Sequence, residues 1–124
     1  MPFVEAPKGY YTSPMDLSID VLDNPAYFVW DVLTYTVGRL GRIDRLIYTI
    51  RPDRMPACSK SVCVRDNHAK LWIAKNKLNV PCAAFIGSMN FGPSSQVQIM
   101  WQVPKGHLRP WVRYYNELWR ELTK

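Results

Sequence analysis

Two apolar runs separated by a short polar turn limit the fold more than any other feature of this 124-residue chain. Leu71-Trp72-Ile73-Ala74 and Cys82-Ala83-Ala84-Phe85-Ile86 flank Lys75-Asn76-Lys77-Leu78-Asn79, and the second run stops at Gly87. Apolar segments this short, bounded by turn residues, predict two buried strands that pair through the turn. Both carry polar chemistry at one end. His68 and Lys70 open the first strand, and Gly87-Ser88-Met89-Asn90 follows the second.

The flanking sequence supplies the other elements. Residues 43–50 are rich in β-branched and aromatic residues and closed by Arg51-Pro52, which predicts a strand. Residues 52–61 read as a connection, and Val62-Cys63-Val64 as the start of a further strand. Residues 97–103 predict another, with Val97, Ile99, Trp101 and Val103 on one face. Pro104-Lys105-Gly106 breaks it, and residues 108–122 then place Trp111, Tyr114 or Tyr115, Leu118 and Leu122 at helical spacing, with His107 at the helix start. Upstream, Asn24-Pro25 looks like an N-cap, and Tyr27, Trp30, Leu33, Tyr35, Val37 and Leu40 predict a helix ending near residues 38–41. Pro2, Pro7, Pro14 and Pro25 make residues 1–24 an irregular N-terminal arm. The expectation is therefore an arm and one α/β domain over residues 25–124, a mixed sheet flanked by helices.

Charge narrows the partners. A formal net charge of +6 favours polyanions, and its basic residues are spread along the chain, so any basic face must be assembled by folding. Three cysteines, an odd number, argue for a reducing compartment over a disulfide framework. Met1 to Val4 runs straight into Glu5 and Pro7, with no apolar run suited to a signal peptide or membrane span, which points to a cytoplasmic protein that does not bind membranes. Five Trp, seven Tyr and four Phe in so small a chain leave apolar surface for a partner.

Alternation along a strand puts His68 and Lys70 on the same face. Gly87 permits a tight backbone where Ser88 and Asn90 reach the same space. An imidazole nucleophile, a fixed ammonium and two short hydrogen-bonding groups suit a phosphoryl centre, whose oxygens gather charge in the transition state, and the scheme needs no metal or other cofactor. A competing zinc set, Cys58-x4-Cys63-x4-His68 with Cys82, lacks a compact ligand spacing, and its cysteines sit among small apolar neighbours.

Together, Asn67-His68-Ala69-Lys70-Leu71-Trp72-Ile73 and Phe85-Ile86-Gly87-Ser88-Met89-Asn90-Phe91 resemble the half-site of the phospholipase D superfamily, His-x-Lys followed by a Gly-Ser-x-Asn turn. The resemblance spans residues 25–122 and, in size, is nearest to small bacterial endonucleases in which two chains each bring one motif. It implies that His68 forms a phosphohistidine while His68 of the partner subunit protonates the leaving oxygen. Lys70 and Asn90 would bind phosphate oxygens, and Ser88 would orient the cluster. At two positions the chain departs from the family: Lys75 stands where an Asp is usual, and Gln96 or Gln98 stands in for a Glu that steadies the histidine. The reading is a homodimeric, metal-independent nuclease acting on DNA or RNA. The alternative is an inactive nucleic-acid-binding or inhibitory module that keeps the phosphate pocket.

Overall fold

The computed structural model describes residues 8–12, 21–37, 42–51, 58–89 and 98–124. Its strands are β1 (Tyr10–Tyr11), β2 (Val29–Leu33), β3 (Ile43–Tyr48), β4 (Cys58–Cys63), β5 (Lys70–Lys75), β6 (Pro81–Gly87) and β7 (Met100–Gln102), followed by a 3-10 turn and the helix α1 (Leu108–Leu122). One mixed sheet holds all seven strands in the order β1-β7-β6-β5-β2-β3-β4. The pairs β2–β3 and β3–β4 are parallel and the rest antiparallel.

The two apolar runs form the centre, as the sequence predicts. Trp72 lies opposite Phe85 and Ile73 opposite Ala84, while β2 covers the other side of β5. The intervening turn is closed by Asn76, whose Oδ1 accepts from the backbone N–H groups of Leu78 and Val80 at 2.9 and 3.1 Å. Asn79 takes a positive φ of 63°, a conformation Asn tolerates better than most residues.

Alternation sends side chains into two cores. Trp30, Val32, Leu46, Trp72, Phe85 and Met100 belong to one, joined by Val21 and Met89. Leu33, Ile47, Leu71, Ile73 and Ala84 face the other, where α1 packs with Tyr115, Trp111, Leu118 and Trp119. Burial of each large apolar side chain contributes about 1.5–3 kcal/mol. The fully enclosed Trp72 and Tyr115 anchor opposite faces. Helix α1 ends where Thr123 turns back, its N–H and Oγ1 both donating to the Trp119 carbonyl.

Charges lie inside this frame. Asp31 on β2 is 1% exposed and Lys75 on β5 is 4% exposed. Lys75 Nζ reaches Asp31 Oδ1 at 3.1 Å and Asp44 Oδ2 at 2.7 Å. Arg45 grips Asp31 through two bonds, Nε to Oδ1 at 3.1 Å and Nη2 to Oδ2 at 2.7 Å, and donates to Asn116 of α1 at 2.7 Å. Tyr115 adds its hydroxyl, whose single proton is shared between the carbonyls of Val32 and Arg45 at 3.0 and 2.9 Å. Burial pushes the Tyr115 phenol far above its ordinary value, so it remains a donor. The Lys75 ammonium holds the Asp44 carboxyl below its ordinary value.

Several expected elements differ. The strand expected over residues 97–103 is confined to Met100–Gln102 among the described residues, and the one expected to open at His68 begins at Lys70. Residues 25–37 contain no helix; Val29–Leu33 is a strand instead. Asn24 does make the cap-like bond, its Oδ1 accepting from Ala26 N–H at 2.9 Å, but the chain then turns and extends. The buried Asp31 interrupts an otherwise apolar strand, and that interruption imitates helical periodicity. The expected helix end at residues 38–41 lies outside the described residues. Residues 58–61 belong to β4 and not to a connection, and Val62 and Cys63, expected to begin a strand, end it. As the edge strand, β4 buries none of its residues fully, so hydrophobic patterning does not mark it. The sheet is mixed as expected, but among the described residues one α-helix flanks it where more were expected.

Replacing Asp31 by Ala strands Lys75 and Arg45 as partly uncompensated buried cations. A loss of roughly 3–5 kcal/mol is expected, read as a lower urea midpoint at unchanged denaturant slope.

Candidate functional site

Because β2 and β3 are parallel, residues 34–37 and 49–51 emerge at the same end of the sheet. The antiparallel β5 starts there and β6 ends there, so His68, Lys70, Gly87 and Ser88 join them.

Local bonds hold the loop before β5. Asn67 Oδ1 accepts from Ala69 N–H at 3.1 Å and Asn67 Nδ2 donates to Ala69 O at 2.9 Å, closing a small ring around His68. Thr49 Oγ1 accepts from Asn67 N–H at 3.2 Å and ties that ring to the end of β3. The backbone N–H groups of Thr49 and Ile50 both donate to Tyr35 O. Tyr35 is thereby fixed under His68, and the two rings stack at 4.7 Å with 14° between their planes.

His68 is exposed and presents its ring to solvent. Lys70 Nζ lies 5.9 Å from the centre of the same Tyr35 ring, within cation–π range. Partial burial pushes the Lys70 ammonium below its ordinary value. Arg51 and Arg65 follow β3 and β4 and are exposed at this end, which makes the rim basic. Among the described residues no carboxylate forms an ion pair with His68.

Pairing sets Lys70 opposite Gly87, so the Gly-Ser turn sits beside the His-x-Lys segment. Gly87 has a steric reason to be there: a Cβ would stand 2.1 Å from the Ile99 carbonyl oxygen and 3.0 Å from its carbon. That close approach lets Ser88 clamp the start of β7. Ser88 N–H donates to Ile99 O at 2.9 Å, and Ser88 Oγ accepts from Ile99 N–H at 3.0 Å. The hydroxyl is thus engaged by backbone. Gln98 stands next to Ile99, with its Oε1 buried and without a hydrogen-bond partner among the described residues. Asn90 and Gln96 lie outside the described residues.

Lys75 is not part of this edge. It closes β5 at the opposite end, five residues from Lys70, or roughly 17 Å at the usual rise of a strand. The cysteines do not converge with His68 either. Cys58 and Cys63 occupy the two ends of β4, Cys82 lies near the start of β6, and among the described residues no three His, Cys, Asp or Glu side chains gather to hold a metal. Trp72, Trp111 and Trp119 all pack in the cores, and His107 caps α1 with backbone alone. No helix among the described residues is long and apolar enough to cross a membrane.

Sequence reasoning singled out His68, Lys70 and the Gly-Ser turn but not Tyr35, Thr49 or Asn67, the residues that position them. Asn67, directly before the histidine, carried the one available signal, since Asn side chains commonly bond the backbone two residues on. Comparison with protein-family models, curated proteins and solved structures finds no match to this chain.

Gly87→Ala is expected to push β6 and β7 apart at this edge and to cost about 1–3 kcal/mol as an overpacked contact. Thermal unfolding measures the loss, and amide exchange at Ser88 and Ile99 should accelerate while exchange in β5 changes little.

Proposed function

We propose that this edge handles phosphodiesters of nucleic acid and cleaves them with His68 as nucleophile, in a pair of identical chains. The observation that carries this reading is an exposed imidazole held over Tyr35 with the Lys70 ammonium beside it on a basic rim. The stack limits rotation of His68 without covering its outer edge, which favours in-line approach to phosphorus. A nitrogen of His68 forms the bond to phosphorus as the bond to the leaving oxygen breaks, and that oxygen takes its proton from His68 of the partner subunit. Water then attacks the phosphohistidine, gives its proton to the same imidazole, and releases the phosphate product with His68 restored. Lys70 stabilises the charge gathering on the equatorial oxygens, and Asn90 completes the phosphate contact in this scheme.

A binding-only site is the second reading, and one observation favours it: the Ser88 hydroxyl is spent on the backbone of Ile99 rather than on a neighbouring side chain. Such a module would hold the backbone of DNA or RNA on Lys70, Arg51 and Arg65 with strong salt dependence.

His68→Ala separates the two. For a nuclease, turnover of plasmid, RNA and a chromogenic phosphodiester in excess chelator falls by orders of magnitude, with melting temperature and nucleic-acid affinity nearly unchanged. Sedimentation of the active parent should show a dimer at tens of micromolar. A parent that binds nucleic acid but never turns over assigns the edge to binding, and equal turnover in parent and variant removes His68 from the chemistry.

A further inference from the structure

Directly behind the His68 loop, on the face that α1 covers, lies a pocket of about 220 Å³. Leu33, Ile47, Val64, Leu118 and Leu122 give it an apolar lining, to which Tyr114, 48% exposed, also belongs. Asp66 and Asn67 supply the polar rim. The Asn67 amide is already bonded to Ala69 on both of its ends. Asp66 is exposed, and among the described residues it forms no ion pair. The pocket therefore offers an apolar slot, one aromatic ring on its lining and a carboxylate whose two oxygens accept but do not donate.

These features define the occupant. The volume falls below the roughly 300–1,000 Å³ typical of drug-sized ligands, so it fits one flat ring system and not a whole nucleotide. A carboxylate repels phosphate, so the phosphate of a bound nucleotide stays outside, on the basic rim with His68 and Lys70 only two and four residues further along. Among the bases, guanine alone presents two adjacent donors, N1–H and the 2-amino group, to a pair of acceptor oxygens. Adenine and cytosine set an amino group beside a lone pair, and uracil flanks its single N–H with two carbonyls, so each meets the carboxylate with some repulsion.

We propose that this pocket is a guanine subsite, with Asp66 accepting from the base edge, Tyr114 against the ring and the attached phosphate lying toward His68. The assignment builds on the phosphate-handling reading for its orientation and selects the substrate class: nucleic acid with guanine next to the phosphate that the site engages.

Titration of the parent protein with GMP, IMP, AMP, CMP and UMP tests it, followed by calorimetry and by amide chemical shifts. GMP should bind about tenfold more tightly than the other four, IMP losing the second donor, with shifts centred on Val64, Asp66 and Leu118. Asp66→Asn should erase that preference, and Tyr114→Ala should weaken GMP while leaving the fold intact, since its ring is exposed. His68→Ala should retain the base preference, so failure of hydrolysis and failure of guanine recognition are read independently. Equal binding of all five nucleotides, no binding of any, or a GMP preference that survives Asp66→Asn overturns the proposal. So does concentration-dependent self-association abolished by Tyr114→Ala without base preference, which would give the pocket to a second copy of the chain.

Discussion

The contact between Lys75 and Asp31 governs how the rest of this molecule can be arranged. Both groups lie inside a layer of Trp, Leu and Ile, where an unpaired charge is very costly. Their compensation fixes relative positions: Asp31 must face Arg45 on β3 and Lys75 on β5 at once, and Lys75 must also reach Asp44. A one-residue slip of β2 against either neighbour would turn Asp31 to the other face and leave both cations behind. The ion network thus specifies register at the junction where the sheet changes from antiparallel to parallel pairing. The local irregularity beside Trp30 and Asp31 is accommodated at the same place.

The network also joins the sheet to the helix. Arg45 spans both, bonded to Asp31 and Asn116 and lying over the rings of Tyr115 and Trp119 at 5.0 and 5.8 Å. With Tyr115 donating to carbonyls of β2 and β3, α1 is held by directional bonds as well as by apolar contact. Directional bonds set where along the sheet the helix sits. That position decides the width of the space left between Leu118, Leu122 and the ends of β2 and β3, hence the pocket behind His68.

Much of the sheet was legible because its central strands are apolar enough to exclude other readings. Leu71 to Ala74 and Ala83 to Phe85 are buried wherever the chain goes, and residues 108–122 repeat at helical spacing along their whole length. Legibility failed where a tertiary partner supplies what the sequence lacks. Asp31 reads as a polar face of a helix until Lys75 and Arg45 are placed beside it, and β4 reads as loop because it is an edge strand, paired with β3, that buries none of its residues fully. At the site, His68 and Lys70 were found by spacing, whereas Tyr35 and Thr49 reach them from distant parts of the chain through stacking and a single hydroxyl. Lys75 was readable as a residue but not as a place: its spacing tied it to the histidine, and the extension of β5 carries it to the opposite end.

That separation along one strand has a physical logic. β5 carries a buried ion pair at one end, and the exposed imidazole of His68 stands two residues before its other end, with Leu71, Trp72, Ile73 and Ala74 between them, none more than 2% exposed. With those charges settled within the sheet, the cations of the far edge form no ion pair among the described residues. The mixed topology then does the gathering. Parallel β2 and β3 must release their chains at the same edge, and the antiparallel β5 and β6 bring a start and an end to it, so four separate segments meet where one hairpin would have brought two. Had β3 run antiparallel to β2, Thr49 would stand at the Lys75 end and the His68 loop would lose its tether. In open α/β sheets ligands commonly bind beyond the carboxyl ends of the parallel strands, and that general rule is a ground for proposing a site at this edge.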